Sequence, residues 1–463
     1  MPPDAGTGHD GRLAEEILTG WGRTAPSRAS VARPTRAEDV QAVLTDPPSR
    51  GAIARGLGRS YGDAAQCAGG IVIDVTGLAG VVAFDGKRGV LRGGAGISLG
   101  ALTRLLLPLG WFLPVLPGTR HVTLGGAVAA DIHGKNHHVD GSFCNHLEGF
   151  TLLTPTGPVE VTPSSEPDLF WATAGGMGLT GVLADVAIRL QPVETAFMRV
   201  DTERAHDLDD ALARMERDDH RYQYSVAWID CLAGGASLGR SVLTRGDHAR
   251  LDDLPATKRP SALRLDPTPV ATAPRWVPPG LLNRASVQAF NTVWFRRAPS
   301  LEHGRLQPLQ AFFHPLDRIQ GWNRIYGRRG FVQYQFVVPF GQERALRGAV
   351  ERLSTARCPS FLAVLKRFGD PNPGPLSFPM RGWTLALDIP VGSREVPPLL
   401  DGLDELVAEA GGRVYLAKDA RLRPELLAVM YPRLDEWRRV QAKVDPAGAL
   451  QSDLSRRLGL VEG

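Results

Sequence analysis

Cysteine is scarce in this chain: four residues among 463, Cys67, Cys144, Cys231 and Cys358, form no CxxC pair and no zinc-type spacing. That excludes a disulfide scaffold or a zinc module and leaves four buried or partly exposed thiols as the expectation. Long apolar runs are missing too. The most apolar stretch, 101–117, is too short to span a bilayer and is interrupted by Arg104, Pro108, Pro114 and Pro117, so it reads as a helix followed by a buried loop. There is no long basic block. Lys plus Arg exceed Asp plus Glu by only 53 to 49, a formal charge of +4, which argues against nucleic acid as a partner and is compatible with an anionic lipid headgroup. Residues 1–12 lack the basic and apolar regions of a secretory signal and read as a mobile start. A cytoplasmic place is expected, with attachment at the periphery of the membrane or cell envelope left open.

Glycine, by contrast, is abundant at 52 residues, and three loops use it densely. Residues 54–63 follow a short apolar strand and hold Ala54, Arg55, Gly56, Leu57, Gly58, Arg59, Ser60, Tyr61, Gly62 and Asp63. Gly56, Gly58 and Gly62 can take positive φ or let the backbone approach a ligand, so that successive N–H groups converge on a pyrophosphate. The loop runs into a second short strand at 71–75 with no amphipathic helix between, which disfavours a nicotinamide Rossmann site. Alone, it is equally well explained as a surface turn. The second segment, 117–138, supplies Gly118, Thr119, Thr123, Gly125, Gly126, Ala130, Asp131, Ile132 and His133, with His137 and His138 beyond them. Its small side chains let a flat ring lie against the backbone. The third, 174–181, leads into an alternating strand over 182–190 that includes Leu183. Three such loops suggest one extended dinucleotide cofactor. The spacing of His133, His137 and His138 superficially suggests a metal set, but no carboxylate or cysteine pattern completes one, and no metal is expected.

These loops resemble those of the vanillyl-alcohol-oxidase type of FAD-binding flavoproteins. WGRT at 21–24, RGAIARGLGRSYGD, PVLPGTR, DIHGKNHH, FWAT with GLTG, FFHPLD, FVQYQF, LSFP, AKDAR, and MYPR with DEW run in one order from Trp21 to beyond Trp437. In that order they resemble the family of flavoprotein oxidase subunits of decaprenylphosphoryl-ribose 2-epimerases. The resemblance implies an α+β fold of two domains, a PCMH-type FAD-binding domain and a substrate domain whose antiparallel sheet is covered by helices. It implies FAD held by the loop residues named above together with Leu183 and Tyr415. It implies a substrate pocket bounded by His314, Gln333, Gln335, Lys366, Asp388 and Lys418. The implied activity is oxidation of the 2-hydroxyl of a polyprenyl-phosphoryl ribose to the 2-keto sugar, the first half of an epimerisation that supplies arabinose for cell-wall arabinan, completed by a separate NADH-dependent keto-reductase. Several relatives attach FAD through a histidine in a loop reading GxGHS; Arg59 stands there, so non-covalent FAD is expected. Three positions depart from the family pattern: Ala386 replaces a common cysteine, Thr384 an asparagine, and Met177 turns GGNG into GGMG.

The residues also suggest an organisation by themselves. The length makes two domains the default: 1–195 for the cofactor, 196–412 for the substrate with a Pro-rich loop or lid at 250–283, and 413–463 returning to the first. Thr35 and Glu38 read as a capping box for a short helix. After residue 330 the pattern predicts strand 331–339, helix 343–353, strands 361–367 and 383–389, helix 399–410 and strand 413–418, an antiparallel sheet with one face free to roof a flavin. Period-two alternation sets Gln333 and Gln335 opposite Val332, Tyr334, Phe336 and Val338. It likewise sets Thr384, Ala386 and Asp388 opposite Trp383, Leu385, Leu387 and Ile389, with Lys366 and Lys418 on the polar side; a solvated face gives the same pattern.

Lys418 is the first catalytic candidate, a neutral amine taking the hydroxyl proton or an ammonium holding phosphate. His133 is the second, with a backbone-satisfied core imidazole as its plainer reading. Oxidation of a soluble sugar, alditol or sugar-containing natural product, and a flavin-binding protein without turnover, remain open.

Overall fold

The computed structural model describes residues 13–265, 271–274, 277, 280 and 282–461. Strands Ala14–Leu18, Ser27–Ala32, Ile71–Asp74 and Ala52–Arg55 lie side by side in that order, the first pair antiparallel and the others parallel. A five-stranded antiparallel sheet follows, ordered Val81–Asp85, Val90–Gly94, Val182–Arg189, Leu147–Thr154 and Gly157–Val161. Helix Leu124–Ala129 packs on this sheet because Gly125 lets its backbone approach Ala95 and Leu183; a Cβ there would sit 2.9 Å from the Ala95 methyl.

The largest sheet has eight strands, ordered Leu301–Pro308, Phe197–Ala205, Ser241–His248, Tyr224–Ile229, Ala363–Phe368, Gly382–Pro390, Phe331–Pro339 and Arg413–Val414. Helices Leu208–Asp218, Glu343–Thr355 and Val396–Glu409 cover one face. Their Leu208, Met215, Leu346, Leu353, Leu400 and Val407 share a core with Tyr334, Phe336, Trp383, Leu385 and Leu387, the apolar set of the alternation. The fold is therefore α+β, and the opposite sheet face is left for chemistry. Beyond Val414 the chain turns back: Leu450 bridges Ala52, Trp437 Nε1 donates to the Ala172 carbonyl at 2.9 Å, and Arg457 grips both Asp63 oxygens at 2.9 Å.

Several elements differ from expectation. Ser241–His248 and Leu301–Pro308 carry glycine and charge, so no clean alternation marks them. Within the first, Arg245 is buried against Glu203 and Asp219, an ion cluster that hides its charge from solvent but not from a hydropathy pattern. Helix Ala37–Thr45 starts with Arg36 at its N-cap and no side-chain cap bond, so the Thr35 capping box does not form. The last strand ends at Val414 instead of reaching Lys418. Tyr415 O accepts from the N–H groups of Lys418 and Asp419, and the Asp419 carboxylate accepts from those of Arg421 and Leu422, which sets Lys418 on a turn.

All four cysteines are buried and free. The Pro-rich stretch contributes single 3₁₀ turns at Leu251–Asp253 and Arg259–Ser261 and a two-residue strand, Ala271–Thr272, parallel to Ile319–Gln320. The expected mobile start and the rest of the stretch, 266–270, 275–276, 278–279 and 281, lie outside the described residues. Among the described residues no helix is long and apolar enough to cross a membrane.

Candidate active site

The three glycine loops meet. A Cβ on Gly56 would lie 2.2 Å from Thr123 Oγ1, which itself accepts from Gly126 N at 3.1 Å, so the first loop rests on the start of the second. The third joins from the other end, with Met177 N donating to Ala129 O at 2.8 Å and Gly175 N to Val128 O at 3.1 Å. Gly58 takes φ +61°, a left-handed turn that L side chains avoid. Among the described residues the N–H groups of Leu57, Gly58, Arg59 and Ser60 have no hydrogen-bond partner. Consecutive unpaired N–H groups on a glycine turn are what an anionic pyrophosphate binds. Gly118 faces open space, with no atom within 4 Å of where a Cβ would be.

Other members of these loops serve architecture through their side chains. Arg55 donates to the carbonyls of Ala65 and Thr19 at 3.0 and 2.8 Å. Arg59 lies 4.0 Å over the Trp21 ring and donates to Leu57 O. Asp63 is held by Arg457, and Asp131 accepts from Cys144 N, Asn372 and Ser377. Thr119 Oγ1 donates to Asp317 at 2.8 Å. Ile132 and Leu183 are core residues beside Leu124. Ala130 O accepts from the Tyr415 hydroxyl at 2.7 Å.

Register builds the opposing wall. Gln333 pairs with Asp388, Gln335 with Ala386, Val364 with Ala386 and Lys366 with Thr384. Directly opposed residues share a face, so the polar set expected from alternation is one surface. His133 meets it, its Nε2 2.9 Å from Gln335 Nε2. The Gln335 amide also donates to Thr384 Oγ1 at 3.3 Å. An amide N–H facing Nε2 makes that nitrogen the acceptor and puts the ring proton on Nδ1, a buried atom with no partner among the described residues. Gln333 donates to the Tyr61 hydroxyl at 3.1 Å and to Asp388, and Tyr326 donates to Asp388 at 3.3 Å. Tyr61 N bonds Ala417 O at 3.0 Å, which brings Lys418 Nζ to 4.1 Å above the Tyr61 ring. Tyr415 stacks on Phe378 at 4.6 Å, beside the His133 ring at 5.3 Å.

Charge in this enclosed space is unusual. Lys418 and Lys366 are both half-buried, and Lys418 lines a small cavity with Gln333, Gln335 and Tyr415. Burial pushes Lys418 down to about 8, with Asp388 pulling the other way. Burial, reinforced by Lys135 and Lys418, takes Lys366 to about 7. Asp388 moves oppositely, raised to about 7 by burial against the pull of Gln333 and Lys418. His133 lies well below the usual imidazole range through burial and then Lys366, and is neutral. Sequence reasoning missed Lys135, pushed by burial to about 7 and donating to Phe312 O; its place two residues after His133 was the available signal. His314 lies near Lys135. It lines a neighbouring cavity with Phe112, Leu116, Arg120 and Phe313, and burial, reinforced by Lys135, takes it to about 3. His137 Nδ1 accepts from Gly369 N and His138 meets the Asp219 and Tyr222 carbonyls, so both are held by backbone.

A backbone cradle beside a face of amides and buried lysines suits a dinucleotide redox cofactor, and residues 29–162 match the FAD binding domain family. The protein is an FAD-dependent oxidoreductase. Over 450 residues, 96% of this chain and 97% of the relative, it is 42% identical to decaprenylphosphoryl-beta-D-ribose oxidase of Mycolicibacterium smegmatis. The chain belongs to the decaprenylphosphoryl-beta-D-ribose oxidase family. It is also 46% identical over 375 residues, 79% of this chain and all of the other, to an uncharacterized protein of Streptomyces coelicolor. L-gulono-1,4-lactone dehydrogenase of Mycobacterium tuberculosis is 24% identical over 457 residues, 96% of this chain and 99% of that one.

Proposed function

We propose that this protein oxidises the 2-hydroxyl of a polyprenyl-phosphoryl β-D-ribose to the 2-keto sugar. The observation that carries the reading is the charge balance around this face: Lys135, Lys366 and Lys418 stand against Asp388, while the neighbouring carboxylate, Asp419, is already paired with Arg457. Buried cations are costly until an anion joins them, so a phosphoryl group bound here is stabilised where a neutral sugar is not. The name of the M. smegmatis relative, an oxidase of decaprenylphosphoryl-beta-D-ribose, supports the same substrate class.

FAD, when bound, would supply the two-electron acceptor. Residues 56–60 with Gly118, Thr119, Thr123, Gly125 and Gly126, together with Ala130, Ile132, His133, Leu183 and Tyr415, would hold it. Arg59, an arginine lying on Trp21, cannot make the imidazole link of covalent relatives, so acid releases the flavin intact.

Lys418 takes the hydroxyl proton in its neutral form, which its depressed pKa populates near neutrality. Gln333 and Asp388 hold sugar hydroxyls, and Gln335, fixed between His133 and Thr384, sets the sugar's orientation. Lys366 binds the phosphoryl group. A separate NADH-dependent reductase consumes the ketone. The test is product analysis with an artificial electron acceptor: a ketone two hydrogens lighter than the substrate, which a hydrazine then traps as the hydrazone, is expected. Recovery of only unchanged substrate contradicts the proposal.

A further inference from the structure

Two paths lead from the catalytic face to one exposed helix, one across opposed strand residues and one through aromatic rings. Across adjacent strands Gln335, Ala386, Val364 and Trp228 stand directly opposed, and the Trp228 ring meets Trp294 at 6.5 Å. From Asp388 the second path passes through Tyr326, then Phe361 at 5.9 Å and Phe290 at 5.8 Å. Phe290 and Trp294 stack on each other at 6.0 Å. Both belong to helix Arg284–Arg297.

That helix is fixed to the sheet by its inner side. Val287 and Asn291 are buried, Asn291 donates to Asp230 at 2.7 Å, and Phe295 lies under the guanidinium groups of Arg240 and Arg204. Its outer side is reversed from that of an ordinary surface helix. Phe290, Val293 and Trp294, at helical spacing, are 44%, 51% and 49% exposed. Arg296 and Arg297 follow them, Arg284 begins the helix, and residues 284–297 contain no Asp or Glu. Large apolar side chains exposed together mark an interaction surface. Aromatic residues flanked only by arginine match the interface of a bilayer that carries anionic headgroups.

We infer that helix Arg284–Arg297 docks the holoenzyme on an anionic phospholipid surface, so that the two paths run from the lipid to the catalytic face. The inference rests on the proposed lipid-linked substrate, and its test is kept separate from turnover. Full-length FAD-loaded protein is sedimented with vesicles of phosphatidylcholine alone or mixed with phosphatidylglycerol. The wild type is expected to follow the mixed vesicles. The combined substitution Phe290→Ser, Val293→Ser and Trp294→Ser lowers partitioning about tenfold or more. Arg296→Gln with Arg297→Gln lowers it about fivefold per arginine and abolishes the preference for phosphatidylglycerol. Bound-flavin absorbance and thermal melting confirm that the variants are folded. Wild-type protein left in the supernatant at low salt, or a triple-serine variant that sediments like the wild type, overturns the inference. Flavin reduction by a soluble short-prenyl substrate is read on the same wild-type preparation. Reduction without vesicle binding removes the membrane assignment alone; vesicle binding without reduction supports the docking helix and removes the substrate reading.

Discussion

The cofactor cradle and the sheet face that opposes it are built by opposite means. The cradle is backbone: Gly56 and Gly62 are there because a single Cβ would collide with Thr123 or with the Asp419 carbonyl, and the groups on offer are unpaired N–H donors. The sheet face is side chain: amides and ionisable groups held in place by register and by one another. A backbone surface recognises a pyrophosphate that every FAD carries. A side-chain surface can be retuned to a particular sugar without disturbing the cradle.

Lys418→Ala strikes the side-chain region alone and has the largest expected effect. Flavin content stays near that of the wild type while anaerobic reduction by substrate slows about a hundredfold to ten-thousandfold. Stopped-flow absorbance reads the rate, and loss of flavin in this variant would erase the distinction between the two regions. Gly62→Ala strikes the seam between them. Its Cβ would lie 2.0 Å from the Asp419 carbonyl, so about 3 kcal/mol of stability and most bound flavin are lost together. Melting temperature and the flavin-to-protein absorbance ratio report both.

The pH profile sharpens the comparison further. If neutral Lys418 is the base, kcat/KM rises with pH and levels off above about 8. Asp388→Asn removes the attraction that holds the ammonium form, so the inflection moves to lower pH; an unchanged or higher inflection excludes Lys418 as that base. Asp63→Asn has the smallest effect. It weakens a largely buried bidentate pair with Arg457, costing about 2 kcal/mol in a denaturant melt and leaving flavin reduction intact.

The two regions also differ in how openly the sequence displays them. Glycine need is local, so residues 54–63 and 117–133 could be read from composition and order. The polar sets of 331–339 and 382–390 were legible because period-two alternation fixes a face. The sequence could not show that Gln335 would meet His133, a contact across 202 residues. His314 was named only by resemblance; it lines a cavity with Phe313 and Arg120, near Lys135. Lys135 escaped notice because its importance comes from burial beside other cations. Arg245 obscured its own strand for a related reason: an ion cluster inside the protein reads as surface until its partners are known.

The most direct measurement is anaerobic titration of the FAD-loaded protein with polyprenyl-phosphoryl ribose and, separately, with free ribose. Bleaching of the flavin band by the lipid-linked pentose, with free ribose inert at the same concentration, is the result predicted by a face of buried lysines awaiting a phosphoryl group. Equal bleaching by free ribose, or none by the lipid-linked sugar, would contradict it.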